Sequence, residues 1–190
     1  MTNNYIINKT FSRIDFTTNR LLIGEYDQCT FTNCTFAESE ISNCVFLECE
    51  FISCNLSLTR VKNTAFQDVN FVDCKVLGIK FNECNDFLLT LNFKKCLLNL
   101  SSFYQLKLIG IIFDNCKLIE VDFSESNLTK AIFENCDLSD TMFDSTILVN
   151  SDFRTASNFT LDPDKNKLKN AKFSRNNIHG LLTKHQIIIE

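Results

Sequence analysis

A large apolar residue returns every five positions along most of this chain. Stepping by five from Phe11 gives Phe16, Leu21, Tyr26, Phe31 and so on to Phe81, fifteen large apolar residues without a gap. The phase then slips by two residues across 82–88. A second series runs from Leu88 through Phe93, Leu98 and Phe103 to Phe153, alternating Leu and Phe throughout. A period of five matches neither the helix, at about 3.6 residues, nor the strand, at about 2. Each five-residue unit must therefore be a structural step in its own right.

If the central residue of each unit points inward, the residue two places before it points inward as well and must be small. All ten cysteines, Cys29, Cys34, Cys44, Cys49, Cys54, Cys74, Cys84, Cys96, Cys116 and Cys136, hold that place. Charge provides an independent check, because an unpaired buried charge is costly. Between Phe11 and Phe153, 30 of the 31 charged residues fall at outward places, and the exception, Asp86, lies in the slip where the two registers disagree. Composition adds a constraint: with 4 Gly and 1 Pro beside 19 Phe, such a fold must turn its corners with other residues.

Units such as Val121-Asp122-Phe123-Ser124-Glu125, Cys136-Asp137-Leu138-Ser139-Asp140 and Ser151-Asp152-Phe153-Arg154-Thr155 resemble the pentapeptide-repeat family, whose consensus is a small residue, Asp or Asn, Leu or Phe, then two polar residues. The resemblance implies an all-β fold, a right-handed quadrilateral parallel β-helix in which four units make one square coil and residues 20 apart stack. The columns Phe93, Phe113, Phe133, Phe153 and Cys96, Cys116, Cys136 agree with it. Roughly seven coils of about 4.8 Å each give a rod on the order of 35 Å long.

The chain divides on this reading into an N-terminal cap (1–10), the repeat (11–155, with the slip at 82–88), and a last irregular coil with a C-terminal module (156–190). The pattern breaks at 156–164, around Pro163, and Leu168, Phe173 and Ile178 return in the second register. Residues 180–190 read as a short helix followed by a small strand. This segment resembles the C-terminal module of Qnr-type quinolone-resistance proteins, and the resemblance implies a homodimer with Leu181, Leu182, Ile187, Ile188 and Ile189 in the interface. Burial against a second copy would also remove the aggregation hazard of three terminal isoleucines. The alternative is a tail that folds back to cap its own rod.

Chemistry-bearing motifs are sparse. The cysteines lack Cys-x-x-Cys spacing, so they are expected to be free, buried thiols of a reducing cytoplasm, with no metal role. Two histidines exist, His179 and His185, both in the tail, and the four glycines form no phosphate-cradling motif. No catalytic, metal or cofactor-binding residue is expected, and no enzyme activity. The apolar stretch at 108–113 is far shorter than the roughly 20 residues of a membrane span, and no leader pattern opens the chain. A cytoplasmic protein without a membrane partner is expected.

The net charge of −4 conceals an asymmetry. Residues 11–153 carry 20 acids against 11 bases, whereas 154–190 carry 7 bases against 3 acids. The acids Glu38, Glu40, Glu48 and Glu50 gather in one stretch, and Asp114, Glu120, Asp122, Glu125, Glu134, Asp137, Asp140 and Asp144 in another. These twelve are the candidate partner-binding surface. Direct nucleic-acid binding is disfavoured, because the long surface repels phosphate. Resemblance to the gyrase-protecting branch of the family implies that the rod imitates duplex DNA toward DNA gyrase or topoisomerase IV and protects it from quinolones or toxins. Duplex DNA carries one charge per about 1.7 Å, about 20 over such a rod, so a net −9 for residues 11–153 makes the imitation partial. The long loops of many Qnr proteins are also missing here. The alternative function is a scaffold for an unrelated protein partner, its acids serving to keep the rod soluble.

Overall fold

The computed structural model describes residues 4–188. Eleven short strands alternate with corners: β1 (Asn4–Ile7), β2 (Thr10–Ser12), β3 (Gly24–Asp27), β4 (Thr30–Thr32), β5 (Val45–Leu47), β6 (Glu50–Ile52), β7 (Ala65–Gln67), β8 (Val69–Val72), β9 (Leu91–Lys94), β10 (Ile112–Asp114) and β11 (Ile132–Glu134). Every pairing is parallel, and the strands form two sheets, β1-β3-β5-β7 and β2-β4-β6-β8-β9-β10-β11. Isolated parallel bridges, such as Thr35 to Asn55 and Ser102 to Asp122, continue the same register on the remaining sides. The chain is a parallel β-solenoid with four faces.

Face 1 carries Phe11, Phe31, Phe51, Phe71, Phe93, Phe113, Phe133, Phe153 and Phe173 in one column, with ring centroids 4.6 to 5.5 Å apart. Face 2 runs from Phe16 and Phe36 to Leu138, face 3 from Leu21 and Ile41 to Phe143, and face 4 from Ile6 and Tyr26 to Leu168. Rings on different faces meet edge to face, as Phe31 does Phe46 on the adjacent face at 5.9 Å and Phe93 does Phe103 on the opposite face at 6.0 Å. Each such pair adds about 0.5 to 1.5 kcal/mol beyond area burial.

The corners answer the shortage of glycine. The residue two places after the central one takes a left-handed backbone in almost every unit, from Asn8 to Asn170. Asn and Asp tolerate that conformation, but Leu58, Leu88 and Leu100 also adopt it, at φ of 57°, 56° and 64°. Two corner types follow. In closed corners the N–H three residues on returns to the central carbonyl, as Ser39 does to Phe36 at 2.9 Å and Thr64 to Val61 at 3.0 Å. Along face 1 the corners are largely open, and a thiol from the next coil donates to that carbonyl instead: Cys54 to Phe31 at 3.2 Å, Cys74 to Phe51 at 3.2 Å, Cys116 to Phe93 at 3.4 Å. The inward residue before each centre is small because it must fit beneath this carbonyl and satisfy it.

At the slip, Ala65 pairs with Asn85 but Val69 pairs with Leu91, so two extra residues bulge from the rod. Leu88, expected to open the second inward series, is instead 63% exposed beside Phe87 at 68%. Leu89 packs against the core in its place. The reason is register: pairing is fixed by the Ala65 to Asn85 bridge before the bulge and by the Phe71 to Phe93 stack after it, and the spare residues can only leave the wall. Asp86 is exposed, which removes the one exception to outward charge.

Of the cap expected over residues 1–10, the described part, 4–10, runs along the first coil, with Ile6 paired to Tyr26. At the far end Ile178 is exposed, and Asn177 turns inward to donate to the Phe153 and Ala156 carbonyls at 2.7 and 2.9 Å. A side-chain amide of the last coil thus takes the place that a thiol or hydroxyl of the next coil holds elsewhere, as Asn166 does toward the Phe143 carbonyl at 3.0 Å. The expected helix after Gly180 is a pair of single 3-10 turns, Ile178–Leu181 and Thr183–His185. Gly180 sits so close to Phe159 that a Cβ would collide with its carbonyl and ring. Leu181 packs on the core, while Ile187 and Ile188 are exposed and not in a strand. Ile189 lies outside the described residues.

Candidate partner-binding surface

Stacking at 20-residue intervals sorts the twelve candidate acids onto different sides. Glu120, Asp122, Glu125, Asp140 and Asp144 come together on face 3 and its two flanking corners, where Glu120 and Asp140 belong to one column. Glu38 and Glu40 lie on the same side of the rod, several coils toward the N-terminus. Asp137 lies on face 2, Glu48 at the corner between faces 4 and 1, and Glu50, Asp114 and Glu134 on face 1.

Face 1 is not an acidic surface, because bases flank most of its acids: one column reads Lys94, Asp114, Glu134, Arg154, and Asp152 pairs with Lys172. The Lys94 ammonium lies 3.0 Å from Asp114, and Arg154 reaches Asp152 at 2.6 Å. These partners hold the Asp114 and Asp152 carboxyls below the usual carboxylate range. On the side shared with face 3, Arg60 reaches Glu40 at 3.5 Å. These bases are the residues that counting acids along the chain overlooks; Lys94 and Asp114 are 20 apart, as are Glu40 and Arg60, so the signal lay in the column spacing. On face 3, Tyr104 donates to Glu125 at 3.0 Å and Gln105 donates to it at 2.8 Å, which orients that carboxylate outward.

The thiols are free. Nine are buried, and the six from Cys34 through Cys54, Cys74, Cys96 and Cys116 to Cys136 form one column behind face 1. Burial pushes the Cys49 thiol up to about 12, so it stays protonated. Among the described residues no cluster of three or more metal-ligating side chains occurs, and no helix is long and apolar enough to cross a membrane. A depression of about 460 Å³ at Ile132, Glu134, Asp152 and Arg154 lies on face 1, apart from the acid cluster. The acid cluster itself is a wall of the rod, suited to contact with a large partner rather than enclosure of a small one.

The tail brings Lys184 onto Asp162, at 2.6 Å, and Asp164, next to the C-terminal end of face 3. Of the expected dimer residues, Leu181 and Leu182 are partly covered by the rod, and Ile188 is 89% exposed.

Comparison with known proteins agrees with this architecture. Two solved structures of QnrB1, a plasmid-mediated fluoroquinolone resistance protein, are similar in fold. A trypsin-treated variant superposes with a TM-score of 0.64 at 15% identity, covering 97% of each chain. The full-length protein gives 0.63 at 15% identity, covering 95% of this chain and 99% of the other. No curated protein sequence matches the chain. The pentapeptide repeat region family matches residues 25–103 and 108–182. With a solenoid of five-residue rungs and a family match over most of its length, the chain belongs to the pentapeptide-repeat family.

Proposed function

We propose that this protein is a non-catalytic rod that acts by binding another macromolecule through its acidic side, with a type II topoisomerase, DNA gyrase or topoisomerase IV, as partner. The single observation that carries the reading is the concentration of Glu120, Asp122, Glu125, Asp140 and Asp144 on one side of a rigid wall. Fixed carboxylates at coil spacing offer a basic, DNA-binding surface a regular row of anions. Likeness in fold to a fluoroquinolone resistance protein supports the choice of partner, and the resulting role is protection of the enzyme from quinolones or toxins. The C-terminal tail, with Leu181, Leu182, Ile187, Ile188 and Ile189, is proposed as a homodimer contact.

The test is DNA supercoiling by gyrase with and without a quinolone. Micromolar protein is expected to restore supercoiling in the presence of drug, and the quadruple change of Glu120, Asp122, Asp140 and Asp144 to Lys is expected to abolish the effect without unfolding the rod. No change in either reaction would remove the topoisomerase reading. A second reading, a scaffold for an unrelated protein, is favoured by the dispersal of the other seven acids over several sides and the neutralisation of Asp114 by Lys94.

A further inference from the structure

Face 3 has an internal order of charge that a partner-binding acidic side does not require. Two outward columns run along it. One reads Glu40, Arg60, Lys80, Ser102, Asp122, Met142, Asp162, and the other Lys62, Asn82, Tyr104, Ser124, Asp144, Asp164 above the buried Ser42. Bridges place Arg60 beside Glu40, Ser102 beside Lys80, and Asp122 between Ser102 and Met142. About the rung that holds Ser102 and Tyr104 the sign inverts. One coil below is Lys80 and one coil above is Asp122; two coils below are Arg60 and Lys62, and two coils above is Asp144. Arg60, Lys62, Lys80 and Asp144 are exposed, Asp122 is half-buried, and Met142 is 51% exposed.

We infer that two copies of this chain pair side by side and antiparallel through face 3, about a two-fold axis that crosses the rods at Ser102 and Tyr104. An axis lying in the interface and perpendicular to the rods sets each column against itself with its height reversed. Lys80 then faces Asp122 of the second copy and Lys62 faces Asp144, each twice by symmetry. The Glu120 and Asp140 carboxylates fall beside the Lys80 and Arg60 rungs. Parallel pairing about an axis along the rods instead sets the two columns against each other at equal height, and brings Arg60 onto Lys62. Like charges meet there, so charge alone selects the antiparallel form.

The centre of the contact also suits close approach. Ser102 is small, and the Tyr104 ring stands at the axis with its hydroxyl already fixed by Glu125 at 3.0 Å. Like-charged mirror pairs lie on the margins and are engaged at home. Glu83 has Lys80 at 3.9 Å and Glu125 has Tyr104 and Gln105. Glu40 has Arg60 and Asp162 has Lys184. The contact is rich in exposed charge and poor in apolar area, so it is weak and depends on ionic strength. It stands whatever the partner of the acidic side, and it covers Glu120, Asp122, Asp140 and Asp144, so a second copy competes with that partner.

The experiment is analytical ultracentrifugation of the full chain across protein concentration in low and high salt. Dimer is expected at low salt, with dissociation at least about tenfold stronger at roughly half-molar salt, where the screening length falls to a few Å. Lys62→Asp with Lys80→Asp is expected to give a monomer, and so is Asp122→Lys with Asp144→Lys. Mixing the two double variants is expected to restore a one-to-one dimer. All four changes in one chain, which leave the net charge unaltered, are expected to restore self-association. The restored states also show that the variants are folded. Ile187→Ser with Ile188→Ser separates the tail contact. Loss of the dimer in that variant, with none in the charge variants, overturns the inference, and so does a monomer at every concentration in low salt.

Discussion

Before the slip, the second aromatic column of the rod stands on face 4, as Tyr26, Phe46 and Phe66, and a second sheet forms there. From Phe81, at its edge, onward the second column stands on face 3, as Phe81, Phe103, Phe123 and Phe143, and beyond the slip face 4 is built of leucines at Leu108, Leu128 and Leu148 with no sheet. Phe66 and Phe81 meet edge to face at 6.1 Å, where the column changes sides. The corners change with it. On face 4, Cys49 donates to the Tyr26 carbonyl at 3.2 Å before the slip, whereas after it the turns close on themselves, Ala131 N–H to Leu128 at 3.0 Å. Thiols mostly follow open corners, and most of the buried Ser and Thr, such as Thr59, Thr64, Ser126 and Thr141, follow closed ones. A sulfur reaches farther than a hydroxyl oxygen and fills the wider corner. The comparison teaches that one five-residue period supports two wall constructions, and that a two-residue bulge suffices to pass from one to the other.

Breaking either half outright has the largest effect. Phe123→Asp places a charge between Phe103 and Phe143, and is expected to unfold several coils of the second half, a loss exceeding about 4 kcal/mol. Thermal melting checks it; a midpoint within a few degrees of the parent contradicts the inward assignment. Phe31→Asp does the same to the first half. If the halves are separable, hydrogen exchange will show each variant deprotecting mainly its own half.

Deleting Asp86 and Phe87 joins Cys84-Asn85 to Leu88-Leu89-Thr90, a complete unit in register. Burying Leu88 is expected to raise stability by about 1 to 2 kcal/mol, read as a higher denaturation midpoint. A fall would mean that the bulge is needed where the aromatic column changes sides.

Acid sharpens the same contrast. Asp114, Asp152 and Asp162, all beyond the slip, are held low by Lys94, Arg154 and Lys184, against Asp15 before it, held low by hydrogen bonds from Thr17. A depressed carboxyl contributes stability above its ordinary value near 4, and that contribution is lost as pH falls through the lower folded value. Exchange protection is therefore expected to fall more in the second half than in the first between about pH 5 and pH 2. Equal losses would show these exposed pairs to be inert.

Corner strain gives the smallest effects. Leu100→Asn is expected to stabilise by roughly 0.5 kcal/mol, because Asn accepts a left-handed backbone more readily. Gly78→Ala is expected to cost about 1 kcal/mol, since φ is +64° there and a Cβ would lie 2.7 Å from the Leu58 side chain. Urea denaturation resolves both.

Much of the wall was legible in the sequence. Phe93, Phe103 and Phe113 announce the five-residue step and the inward face, because burial admits nothing else at that spacing; the 20-residue coil is implied only by the resemblance to the pentapeptide-repeat family. The bulge was misread at Leu88, since an apolar residue in phase is indistinguishable by pattern from one that pairing elsewhere forces outward. Asn177 was also missed, because a polar residue at an inward place makes sense only once its amide is seen to serve the Phe153 and Ala156 carbonyls of the coil below. For the acids, the sequence supplies twelve candidates; that five of them share a side, and that Asp114 on face 1 is neutralised, emerges only when the coils are stacked and Lys94 is laid beside Asp114.

Sequence alone determined the period, the inward set and the outward placement of charge, for the physical reason that each follows from whether a single side chain tolerates water. Which faces become sheets, which corners close, and which acids share a side were decided only in the folded rod. Each of these depends on a neighbouring coil 20 or 22 residues away: a carbonyl can be satisfied by its own turn or by the coil above, and local chemistry is nearly neutral between the two.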